Sequence, residues 1–156
     1  MVIFMYQKDE QRSKHSSIKY ISVAINILSL SSRVELSMSV MLKNFNLTLP
    51  QFNTLRILAV QYPNTMVLKG LTEKMIDKNS NTSRLVDRLE EKNLAARQVS
   101  TIDRRISHVS ITEKGLKLVS EVSEILELSL EKQLCSNDNK ETEELIDCLK
   151  QLRETT

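Results

Sequence analysis

Apolar residues return every three or four positions along most of this chain, and four stretches keep that helical rhythm. Ile18, Ile21, Ile25 and Leu28, then Met38, Met41, Leu42 and Phe45, predict one long helix across a serine-rich middle, because neither Gly nor Pro interrupts it. Phe52, Leu55, Leu58 and Ala59 predict a second helix. Its start is written in Thr48-Leu49-Pro50-Gln51: a hydroxyl cap, a proline that needs no amide partner in the first turn, and a glutamine placed to close a capping box. The helix should end before Pro63. Leu116, Val119, Val122, Leu126 and Leu130 mark a third helix, and Leu145, Ile146, Leu149 and Leu152 a fourth, with a turn at Ser136 to Asn139. Residues 1–15 show no period and carry Lys8, Asp9, Glu10, Arg12 and Lys14, which predicts a loose arm.

The rhythm changes between Thr65 and Gly115. Thr65 to Leu68 reads as a short strand and Lys69 to Met75 as a short helix. Asn79 and Ser80 can cap a further helix, in which Leu85, Val86 and Leu89 follow at helical spacing, and which stops near Asn93, a residue that tolerates a left-handed backbone. Two extended runs follow, Ala95 to Val99 and Ile106 to Ile111, on either side of Asp103-Arg104-Arg105. Thr112 then caps the next helix, with Glu113 favourable in its first turn. A polar-fronted helix followed by a ribbon with arginines at its tip is the pattern of a winged helix-turn-helix. The helix end suits a major groove and the tip the neighbouring minor groove.

At this point the chain resembles the MarR family of bacterial winged helix-turn-helix transcription regulators. The matching residues are Leu47-Thr48-Leu49-Pro50-Gln51-Phe52, Leu85 to Lys92, Asp103-Arg104-Arg105 and Thr112-Glu113-Lys114-Gly115, in family order and spacing. The resemblance implies a mainly α fold with a small β wing and N- and C-terminal dimerisation helices. Residues 1–156 would form a single domain, with 16–46 and 116–156 as the dimerisation region and 48–115 as the DNA-binding lobe. It implies a sequence-specific binder of double-stranded DNA, a repressor that works as a homodimer on a pseudo-palindromic operator and is released by a small-molecule effector. Asn93 stands where the family usually has glycine, and Ala95-Ala96 makes the first wing strand small.

The residues expected at the DNA are these. Asn79, Ser80, Asn81, Thr82 and Ser83 cluster at the positive end of a helix dipole, where short polar groups can bond phosphates or base edges. Arg84 can span a guanine edge with two bonds, and Arg88, one turn on, is better placed for phosphate. By the family pattern Arg105 enters the minor groove, Asp103 orients it, and Arg104 meets phosphate or pairs locally. Tyr20, Arg33, Met38, Met41 and Arg56 are conceivable effector linings, though each suits core or surface equally.

Composition narrows the field. A chain of 156 residues can build its own core, and two glycines and two prolines favour helix. Trp is absent and aromatics make up 4%, so no stacking platform for single-stranded nucleic acid is expected. The net charge is only +2, but residues 69–114 hold 10 Lys/Arg against 7 Asp/Glu while residues 116–156 hold 5 against 10. That asymmetry suits a DNA-facing centre and an acidic helical tail. The opening Met1 to Tyr6 is too short to span a bilayer, and no signal peptide is seen. Cys135 and Cys148 then point to a reducing, cytoplasmic setting, as thiols buried like small hydrophobes. The two histidines, His15 and His108, have no neighbouring ligands at metal spacing, and no glycine-rich phosphate loop exists. No enzyme, cofactor, metal or membrane partner is expected. Two competing readings remain: a winged helix that binds only proteins, against which the basic tip argues, and a redox-sensing regulator working through Cys135 and Cys148.

Overall fold

The apolar rhythm that starts at Ile18 runs along one unbroken helix, α1, spanning Val2–Lys43, with Phe45 just beyond its end. A computed structural model describes the chain except residues 1, 78–80, 102, 104–105, 135–138 and 155–156, and the side chains of 2–18, 132, 139, 153 and 154. The expected loose arm at 1–15 is helical from Val2 onward. Gln7, Lys8, Glu10, Gln11, Arg12 and Lys14 are good helix formers, and extending an existing helix costs far less than starting one. At the other end the Leu47 amide donates to the Leu42 carbonyl at 3.0 Å, and Asn46 takes the left-handed conformation that ends the helix (φ 55°).

The chain divides into two compact units, residues 1–39 and 40–156. The first is helical throughout its described length. Its side chains from Lys19 to Arg33 are all exposed, and they include Tyr20, Ile21, Val23, Ile25, Ile27, Leu28 and Leu30.

The second unit carries the remaining elements. They are α2 (Leu49–Gln61), β1 (Met66–Val67), α3 (Leu68–Lys74), α4 (Thr82–Glu91), β2 (Ala95–Val99), β3 (Ser107–Ile111), α5 (Glu113–Leu134) and α6 (Asn139–Glu154). The capping box at Thr48 is formed as expected: the Gln51 amide donates to Thr48 Oγ1 at 3.4 Å and the Thr48 amide to Gln51 Oε1 at 3.1 Å. Pro50 sits in the first turn of α2, which closes at Gln61, ahead of Pro63.

Helix α2 lies at the centre and packs against α3, α4, α5 and β3. Leu42, Leu55, Leu58, Leu71, Val86, Leu89, Val109 and Val122 are buried almost completely around it. Each such side chain contributes on the order of 1.5–3 kcal/mol. The buried Thr54 hydroxyl donates to the Pro50 carbonyl at 2.8 Å and lies 3.5 Å from the Met75 sulfur, so it is not left unsatisfied. The three strands form an antiparallel sheet in the order β1-β3-β2. Val109 of β3 faces Met66 on one side and Arg97 on the other.

Helix α5 sends Val119, Val122 and Leu126 inward. Its start explains the Thr112 to Gly115 motif. Thr112 Oγ1 accepts from the Gly115 amide at 3.0 Å and donates to the Asn93 carbonyl at 2.8 Å, while the Thr112 amide donates to the Leu94 carbonyl at 3.1 Å. Lys114 Nζ adds a bond to the Lys92 carbonyl at 3.0 Å. The helix start is thereby pressed onto the turn that ends α4. A β-carbon on Gly115 would lie 2.1 Å from the Leu94 carbonyl oxygen, so this position has no room for a side chain.

Between Lys140 and Leu152 every side chain of α6 except Thr142 is exposed, including Leu145, Ile146, Leu149 and Leu152. Cys148 is exposed with them, which corrects the expectation of a buried thiol. Its helix has an apolar stripe, but this chain alone does not cover it. Cys135 and most of the turn expected at Ser136 to Asn139 lie outside the described residues.

Candidate nucleic-acid interface

Helix α4 has two faces set by its own spacing. Thr82, Val86 and Leu89 recur at the interval of one helical turn and are buried. Asn81, Arg84, Asp87, Arg88 and Glu91 are exposed. The cap is Asn81, whose side-chain oxygen accepts from the Arg84 amide at 3.1 Å. Asn79 and Ser80, the caps expected from sequence, lie outside the described residues. Of the polar cluster, Thr82 departs from expectation: at 4% exposure it belongs to the inner stripe and has no reach toward a duplex. Asn81 and Arg84 stand at the outer N-terminal end, where the helix dipole favours an anion. Arg88, one turn on, is exposed and pairs only loosely with Glu91, at 3.7 Å.

The far end of α4 is tied down twice. Asn93 takes the left-handed conformation (φ 58°), as its identity suggests. Lys92 Nζ donates to the Asn46 carbonyl and lies 3.3 Å from Gln51 Oε1, which anchors the end of α4 to the start of α2.

The wing is β2 and β3, joined through residues 100–106. The Ser100 amide donates to the Ile106 carbonyl and the Ile106 amide to the Asp103 carbonyl, both at 2.9 Å. The Asp103 amide donates to Ser100 Oγ at 3.3 Å, and Asp103 itself is exposed. Arg104 and Arg105 lie outside the described residues.

A residue that sequence reasoning passed over joins wing to helix. Arg97 of β2 donates from Nη2 to the Ser83 carbonyl at 3.2 Å and lies 3.3 Å from Ser83 Oγ. Its Nη1 is 3.1 Å from Asp87 Oδ1, its Nε is 3.9 Å from Glu90 Oε2, and its backbone amide donates to Glu90 Oε1 at 2.7 Å. One planar guanidinium thus touches Ser83, Asp87 and Glu90 at once, a set of contacts that suits the arginine fork better than a single lysine ammonium. Ser83, expected at the DNA, is half-buried and engaged in this contact. The only signal in the sequence was a charged residue inside a strand, preceded by carboxylates at Asp87 and Glu90.

The side chains named as effector linings are dispersed in character. Tyr20, Arg33 and Arg56 are exposed, and Met38 and Met41 are half-buried. His108 is half-buried in β3, opposite Val67 and Gln98. Among the described residues, no group of three or more His, Cys, Asp or Glu could hold a metal ion, and no helix is long and apolar enough to cross a membrane.

The profile of the MarR family matches residues 47–107, from the start of α2 to the start of β3. Over 55 residues the chain is 34% identical to the HTH-type transcriptional regulator MhqR of Bacillus subtilis (strain 168). That match covers 35% of this chain and 38% of MhqR, so the shared stretch spans less than half of that relative. Two solved structures follow the fold over nearly their whole length. The S. aureus MepR–DNA complex superposes with a TM-score of 0.70 at 22% identity, covering 85% of this chain and 97% of that one. NadR in complex with 4-hydroxyphenylacetate gives 0.66 at 22% identity, covering 83% and 91%. At such identities the likeness establishes the fold.

Proposed function

We propose that this chain, a member of the MarR family through its segment 47–107, is a transcription regulator that binds specific double-stranded DNA as a homodimer. The observation that carries the reading is the outer face of α4. Asn81, Arg84 and Arg88 stand exposed along it, backed by a buried stripe and bracketed by the wing. In this reading α4 lies in the major groove, with Arg84 directed at base edges and Asn81 and Arg88 at phosphate. Ser83 supports the helix from its flank. Asp103, Arg104 and Arg105 serve the minor groove by the family pattern.

The exposed apolar side chains supply the reason for a dimer. Ile21, Ile25 and Leu28 of α1, and Leu145, Ile146, Leu149 and Leu152 of α6, would not face water in a stable monomer. A two-fold interface repeats one patch on both subunits, and it would present two α4 helices to one pseudo-palindromic site. We assign 16–46 and 116–156 to that interface and 48–115 to the DNA-binding lobe. Repression would follow from occupying a promoter, and release from a small effector that lowers DNA affinity. MepR in complex with DNA and NadR in complex with 4-hydroxyphenylacetate support DNA binding and small-molecule binding, respectively, by analogy of fold.

Selection of bound duplexes from a random library by the purified protein tests the reading. The expected result is an enriched, inverted-repeat duplex. Arg84→Ala should bind it at least about tenfold more weakly, with the circular dichroism spectrum unchanged. Enrichment of no duplex at low salt would overturn the proposal.

A further inference from the structure

The charges on α4 sit awkwardly with a groove walled by phosphate. Arg84 and Arg88 are outnumbered by Asp87, Glu90 and Glu91. Glu91 has Arg88 beside it on the same helix. Among the described residues, Arg97 meets Asp87 and Glu90 from outside the helix, at 3.1 Å and 3.9 Å. The Arg97 side chain is only 20% exposed, so its field is less screened by water and salt than a surface charge would be. Its Nε makes no hydrogen bond, yet the group stays at this spot, held by Ser83, Asp87 and the strand.

We propose that Arg97 is a positioning residue for DNA binding whose charge masks Asp87 and Glu90 from the duplex. The inference rests on the DNA-binding function proposed above. Asp87 is 51% exposed, so without Arg97 its carboxylate is free to turn outward beside Arg84 and Arg88. There it would repel phosphate and compete for the two arginines that bind it. A mechanical strut alone makes a different prediction: once the guanidinium fork is lost, removing the carboxylates it bridged restores nothing. Lysine keeps the charge and lacks the fork, which separates the two roles.

The test uses the duplex recovered by selection with the unsubstituted protein. Arg97→Gln should weaken binding about tenfold at low salt, and the gap should shrink as salt rises. Adding Asp87→Asn and Glu90→Gln to Arg97→Gln should restore most of that affinity. Arg97→Lys should stay within about threefold of the parent, and it gives the answer even if Arg97→Gln does not fold. Masking is overturned if Arg97→Lys is as weak as Arg97→Gln, or if removing the carboxylates recovers nothing. Recovery of no duplex at all would instead overturn the DNA-binding function, and the two failures are therefore distinct.

Discussion

Adding one methyl group at Gly115 should unlatch the DNA-binding lobe. The ideal β-carbon of Gly115→Ala would stand 2.1 Å from the Leu94 carbonyl oxygen and 2.8 Å from Ile111 Cγ1. The first contact is with backbone, which cannot swing aside as a side-chain tip can. Either α5 lifts or the turn after α4 retreats. Overpacking of this kind costs about 1–3 kcal/mol. The Leu94 carbonyl also accepts the Thr112 amide, and losing that bond adds about 1 kcal/mol. Alanine's better helix propensity returns only about 0.8–1 kcal/mol. The net loss is about 2 kcal/mol, which in a chain of this size lowers the melting temperature by roughly 4–8 °C. Thermal unfolding followed by circular dichroism measures it. An unchanged or raised melting temperature would show that α5 and the turn have slack, and would refute the close approach as the reason for glycine here.

Two further outcomes are expected. Thr48→Ala removes the side-chain half of the capping box at α2 and should cost about 1 kcal/mol by urea denaturation, while Thr48→Ser should retain most of it. Leu28→Lys places a charge amid the exposed apolar residues of α1 and should convert a sedimenting dimer to monomer; a parent that already sediments as a monomer would remove the dimer from the mechanism.

What the sequence disclosed was mostly local. Thr48 and Gln51 reach each other within one turn, and Asn93 carries its left-handed tolerance in its own side chain. Each of these needs no distant partner to be recognised. The start of α4 was harder, because Asn79, Ser80 and Asn81 are all competent caps and local chemistry does not rank them. Thr82 looked like its polar neighbours until packing placed it on the same stripe as Val86 and Leu89. Arg97 escaped notice because its partners lie on another element, brought close only when the sheet folds against α4. Cys148 departs in the opposite direction: a free thiol is expected to be buried like a small hydrophobe, yet one copy of the chain leaves that helix open.

The middle strand of the sheet has one more effect. At the level of Val109, Met66 lies on one edge and Arg97 on the other. Met66 leads directly into α3, and Arg97 grips α4. The two helices of the motif are therefore linked by a second circuit through the ladder, besides the chain that runs between them. A loop closed on itself resists shear in a way that an open hinge does not. The angle at which α4 is offered to a partner is then a property of the sheet as much as of the segment that joins α3 to α4.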